Sequence, residues 1–133
     1  MKLLIKKLVK EALFDKHNEE QLDLLNTFTK FACHHLGIED TPIHLQFTHQ
    51  GLTTTAAYGK HKVKVYAKER ALADIMRSIA HELTHYKQDL EGRLDPKHHD
   101  ANNAAGSPQE DEANYKSGEI IRKFGETHPE IYP

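Results

Sequence analysis

The chain has 133 residues, 38% of them hydrophobic, with 5 Phe, 5 Tyr and no Trp. That is enough apolar material for one core of a few helices and a small sheet, and the expectation is a single domain over residues 1–133. The charge balance, 18 Lys and Arg against 20 Asp and Glu for a net −2, excludes a nucleic-acid binder of the ordinary basic kind and a polybasic membrane patch. The single cysteine, Cys33, excludes an internal disulfide framework and any multi-cysteine zinc cluster.

Residues 2–14 carry Leu3, Leu4, Leu8, Ala12 and Leu13 at helical spacing with lysines between them, which predicts an amphipathic helix. Those lysines also interrupt any signal-peptide core, and no apolar run approaches the roughly 18 residues of a membrane span. A cytoplasmic location is therefore expected. After a polar break at residues 15–20, Leu22, Leu25, Phe28, Ala32 and Leu36 form the stripe of a second helix, which Gly37 should stop. His34 and His35 at its end suit the helix dipole, and Cys33, beside Phe31 and Ala32, reads as a packed residue.

Pro42 opens an extended region. Ile43, Leu45 and Phe47 alternate with polar residues at a period of two, residues 52–58 are Thr-rich and β-prone, and Gly59-Lys60-His61 makes a turn into an alternating stretch at 62–68. The expectation is an antiparallel meander of about three strands, hence an α+β fold. From Glu69 the helical period returns, with Leu72, Ile75, Met76, Ile79, Leu83, Tyr86 and Leu90 on one stripe and Gly92 as the stop. Residues 93–107 read as a polar loop. A last helix begins at Ser107 as N-cap with Pro108 in its first position, and runs to about Phe124. The tail from Gly125, with two prolines, is expected to be irregular.

The helix after the meander contains His81-Glu82-Leu83-Thr84-His85, an HExxH. Residues i and i+4 of a helix stand nearly above one another, so two imidazoles at that spacing can share one metal ion, with Glu82 beside them to touch an activated water. Eleven histidines in the chain raise the rate at which such a motif arises by chance, so its context matters. At about 100° per residue from Leu72, His81 and His85 fall near 180° and 220°, opposite the apolar stripe. Structural core histidines belong on or beside that stripe; a solvated face or a metal cleft fits these two.

Catalytic zinc takes three protein ligands, and the last helix offers Glu110, Asp111 and Glu112. With Glu110 at zero, Ala113, Asn114, Ser117, Ile120, Ile121 and Phe124 lie within about 80° of it, Asp111 near 100° and Glu112 near 200°. Glu110 thus sits on the inward face and is the favoured third ligand, with Glu112 as the alternative. Dipole complementation at the helix start accounts for Asp111 and Glu112. His98-His99-Asp100 is a weaker metal candidate in a polar loop. No glycine-rich phosphate loop and no GxSxG is present.

The pairing of IAHELTHYKQ with GSPQEDEANYKSGEIIRKFG some 25 residues on resembles the gluzincin metallopeptidases, including minimal, zincin-like members and the small metallopeptidases of bacteriophages. The resemblance covers roughly residues 55–125. It implies one zinc ion per chain held by His81, His85 and Glu110, with Glu82 as general base and Asn114 as the residue that orients a ligand histidine. Asn114 stands where thermolysin-like members have Asp, which makes that position neutral. The implied reaction is hydrolysis of a peptide or protein substrate by a metal-activated water, with neither nucleic acid nor membrane as partner. A strand at 62–68 would pair with the extended substrate, and Tyr115, His98, His99 and Arg122 are candidates for the transition-state donor. The competing expectation is a non-catalytic, zinc-stabilised structural or regulatory protein, such as a phage virion or accessory component; a third is a plain helical interaction module in which the HExxH is accidental.

Overall fold

The computed structural model describes residues 5–7, 16–46, 56–59, 62–67, 70–94 and 107–132. In chain order these form β1 (Ile5–Lys7), α1 (Lys16–Leu36), β2 (Ile43–Gln46), β3 (Ala56–Gly59), β4 (Lys62–Tyr66), α2 (Leu72–Leu90), α3 (Pro108–Thr127) and a closing 3₁₀ turn, Pro129–Ile131. The fold is α+β and mostly helical. Among the described residues no helix is long and apolar enough to cross a membrane.

The sheet differs from the expected meander. Its four strands run in the order β1-β2-β4-β3; β1 and β4 both lie parallel to β2, and only the β3–β4 pair is antiparallel. The first strand lies in the segment whose spacing predicts a helix: Ile5–Lys7 pairs with Ile43, His44 and Leu45 of β2. Leucine spacing is a local signal, and the row of backbone hydrogen bonds offered by β2 overrides it. The rest of residues 2–14 lies outside the described residues. The polar stretch at 16–20 is no break but the first turn of α1, since it contains no Gly or Pro to interrupt a helix.

Both glycine stops take the left-handed conformation, Gly37 at φ 73° and Gly92 at φ 72°. In each the following residue's N–H bonds a carbonyl five positions back: Ile38 to Cys33 and Arg93 to Gln88. This double-bonded C-terminal turn satisfies helix-end carbonyls, at a backbone angle glycine adopts without penalty. At the start of α3 the Ser107 hydroxyl accepts the Glu110 N–H at 3.1 Å, as the N-cap reading requires. This helix continues one turn beyond Phe124, to Thr127. The tail is not irregular throughout, for Ile131 in the 3₁₀ turn is buried in the core.

One core joins these elements. Register places Ile43 beside Val63 and Leu45 beside Val65, and all four are buried, so one face of the β2–β4 pair is a continuous apolar row. Against it pack Leu25, Phe28, Ala32 and Leu36 of α1, Ile75, Met76, Ile79 and Leu83 of α2, and Ile120, Ile121 and Phe124 of α3. Phe124 meets Phe28 edge-on at 5.1 Å between centroids, a preferred aromatic geometry. Cys33 is buried among these groups, and burial pushes its thiol up. His35 joins α1 to α3 through Glu119 at 2.7 Å, in addition to standing at the negative end of its helix.

Strand β4 lies between β2 and β3, so both of its edges are paired. This corrects the expectation that the strand at 62–68 pairs with an extended substrate, since residues 62–66 have no free edge to offer. The edge strand beside it is β3, and among the described residues nothing pairs with its outer side.

Candidate metal centre

Helix α2 is buried on two sides. Its apolar stripe faces the sheet and α1, while Glu82, Thr84, His85 and Gln88 are also buried. The element covering the second side is α3, packed along α2. Leu90, counted on the apolar stripe, is 56% exposed because the last turn extends past the core. The face near 200° is therefore a helix–helix seam and not a solvated surface. Histidines placed there by the i, i+4 spacing are held between two helices.

Within that seam the two imidazoles meet Glu110. The His81 and His85 rings are 4.9 Å apart at 80°. His81 Nε2 lies 3.1 Å from Glu110 Oε1, and His85 Nε2 lies 3.1 Å from Glu110 Oε2. Among the described residues these three side chains are the group able to hold a metal ion, their ligand atoms all within 4.8 Å of one another. The capping turn at Ser107 makes Glu110 the third residue of α3, directing its carboxylate across the seam. Its inward register agrees with the helical-wheel reading.

The exposure of the three side chains is graded, with 3% at His85, 18% at His81 and 20% at Glu110. The cluster is closed on the His85 side and open beside His81 and Glu110. Burial pulls the His81 imidazole below its ordinary value against the opposing pull of Glu110. A ligand histidine must be neutral, so this environment favours the binding form. Asn114, one turn beyond Glu110, hydrogen-bonds His81.

Glu82 is 8% exposed, and its carboxyl is pushed up to about 8, first by burial and second by the Glu110 charge. Glu82 follows His81 in α2 and is not one of the three residues whose ligand atoms converge. A cation held by the two histidines and Glu110 would counter both influences and favour the ionised carboxylate.

The environment of Glu112 departs from the wheel argument, which puts it in solvent. Its Oε1 accepts from Gln88 Nε2 at 2.9 Å and from an Arg93 amino group at 2.8 Å. Arg93, foremost, and Gln88 hold its carboxyl below the usual carboxylate range. Glu112 therefore touches α2, but at Gln88 and not at the histidines. Asp111 is exposed. Of the donor candidates, Tyr115 is 66% exposed and turned to Glu119, and Arg122 is exposed three turns along α3. Residues 98–100 lie outside the described residues.

Sequence reading missed Gln88. A signal was present: at about 100° per residue Gln88 falls near 160°, on the face of His81 and His85 and one turn beyond the latter. Its Oε1 lies 2.8 Å from His85 Nδ1.

The residues present fit a divalent cation. Two imidazole Nε2 atoms and two carboxylate oxygens converge in a mostly buried seam, a donor set of nitrogen and oxygen that suits zinc-like ions. No family model matches the chain, and no curated protein or solved structure matches it either.

Proposed function

We propose that the chain is a zinc-dependent peptidase of gluzincin type, with a zincin-like arrangement of the HExxH helix against a glutamate helix. The observation that carries this reading is the convergence of His81 Nε2 and His85 Nε2 on the two oxygens of Glu110, each at 3.1 Å. His81, His85 and Glu110 hold the ion. When bound there, zinc would supply Lewis acidity, lowering the pKa of water towards about 7 and polarising a carbonyl group.

The chain's own residues do the rest. Glu82, beside the ligand group and outside it, takes the proton from the attacking water and passes it to the leaving amine. Its burial excludes bulk water from the transferring proton. Asn114 restrains His81 from the open side of the cluster. The outer edge of β3 offers backbone groups to an extended substrate. This strand packs against α2, the helix that carries His81 and His85.

The test is metal analysis of the purified chain with a peptide-library cleavage assay, on wild type and Glu82→Gln. The reading expects one zinc per chain in both proteins and cleavage in wild type alone. One zinc with no cleavage by either protein identifies the non-catalytic zinc protein instead. Absence of stoichiometric zinc overturns the metal site itself.

A further inference from the structure

Gln88 is fully buried, and its amide makes three contacts whose chemistry leaves one arrangement. The Nε2 end meets the Gln109 carbonyl at 2.9 Å and Glu112 Oε1 at 2.9 Å. A carbonyl and a carboxylate only accept, so this end must be the NH₂ group, with both hydrogens engaged. The other end is then Oε1, and it faces His85 Nδ1 at 2.8 Å. An imidazole nitrogen 2.8 Å from an acceptor carries the hydrogen, so Nδ1–H donates to Gln88 and Nε2 is left to face Glu110. His85 Nε2 lies 3.1 Å from Glu110 Oε2, an atom that only accepts, so in the metal-free chain a hydrogen joins them and a bound cation would take its place.

The arrangement is anchored further out. Glu112 is held by Arg93 at 2.8 Å, and Arg93 also reaches Glu91 at 2.6 Å. The left-handed turn at Gly92 brings Arg93 to this position, its N–H bonding the Gln88 carbonyl at 2.8 Å. Glu112, itself held by Arg93, thus orients the neutral Gln88 amide.

We propose that Gln88, backed by Glu112 and Arg93, is the positioning residue that keeps the hydrogen on His85 Nδ1 and aims Nε2 at the metal. The proposal rests on the metal-site reading above for its purpose, but the Nδ1–H contact to Gln88 is a property of the metal-free chain. A glutamine three residues beyond the second histidine of an HExxH helix, held by an acid from the facing helix, is accordingly part of this centre.

The test uses the full chain and zinc alone as probe. In metal-free protein at pH 8, ¹⁵N NMR should give the Nδ1–H signature for His85. Gln88→Leu should lose that preference, and zinc affinity should fall by roughly 10- to 100-fold. Gln88→Glu should also bind poorly, because its carboxylate faces Glu112 and the Gln109 carbonyl. Adding Glu112→Gln to it restores a donor opposite an acceptor and should bring affinity back to within about fivefold of wild type. Should Gln88→Leu fail to fold, the Gln88→Glu series carries the test. Wild-type zinc affinity in Gln88→Leu, a His85 Nδ1 without its hydrogen in wild type, or a double variant no better than Gln88→Glu overturns the proposal. Wild type that keeps the hydrogen on His85 Nδ1 but binds no zinc overturns the metal site and leaves the positioning contact standing.

Discussion

Replacing Glu82 by Gln should stabilise the metal-free protein, by an amount that depends on pH. Folding raises the Glu82 carboxyl from 4.5 to about 8, chiefly through burial. A group raised on folding contributes its stability fully below the unfolded pKa and loses it as pH rises through the folded one. Below about pH 4.5 the protonated acid is a neutral hydrogen-bonding group in both states. Between there and about pH 8 the unfolded chain ionises Glu82 while the folded chain resists, and stability falls by about 1.4 kcal/mol per pH unit. Gln has the same shape and does not titrate.

The two proteins should therefore lie within about 1 kcal/mol of each other at about pH 5 and differ by about 4 kcal/mol at about pH 8, with the Glu82→Gln variant the more stable. With a urea m-value of about 2 kcal/mol/M, the midpoints should separate by about 2 M at about pH 8. His81, which burial holds below its ordinary value, loses stability on the acid side in both proteins and largely cancels in the difference. The measurement is urea unfolding in excess chelator at pH 5, 6.5 and 8. Parallel stability curves for the two proteins would refute the argument, since they would mean that Glu82 ionises as freely folded as unfolded.

His81→Ala and His85→Ala should each abolish one-to-one zinc binding in a calorimetric titration, because either leaves two protein ligands; retention of tight binding by both would move the site elsewhere. Glu110→Gln should weaken zinc binding by about one hundredfold or more, and Asn114→Ala by about tenfold, since the second removes only a contact to His81; equal losses in the same titration would contradict the division of roles. Cys33 should react with an aromatic disulfide reagent at pH 8 about a hundredfold more slowly in native protein than in 6 M urea. It is fully buried with a thiol pushed up by burial, and equal rates would place it at the surface.

Much of the site was legible in the residues because its geometry is local. Two histidines at i and i+4 face one way on any α-helix, and the Ser107-Pro108 cap sets the register that turns Glu110 inward. Gly37 and Gly92 mark helix ends through a backbone angle that favours glycine. The apolar alternation of Ile43, Leu45, Val63 and Val65 likewise foretold one buried face of a sheet. These features depend on neighbours within a turn or a strand, and one chain segment carries all the information they need.

What tertiary structure decided lies between segments. Leucine spacing in residues 2–14 says nothing of the β2 edge that recruits Ile5–Lys7 as a parallel strand, nor does alternation reveal strand direction, which set β4 inside the sheet and β3 at its edge. A helical wheel for α3 alone sends Glu112 to solvent, because it contains neither Gln88 across the seam nor Arg93, which is returned by the turn at Gly92. The wheel for α2 could not separate a solvated histidine face from a covered one; α3, packed along α2, makes that face a seam in which His81, His85 and Glu110 meet. Pairing energies between distant residues depend on which surfaces meet, and only the folded chain brings Glu112 within hydrogen-bonding reach of Gln88 and Arg93.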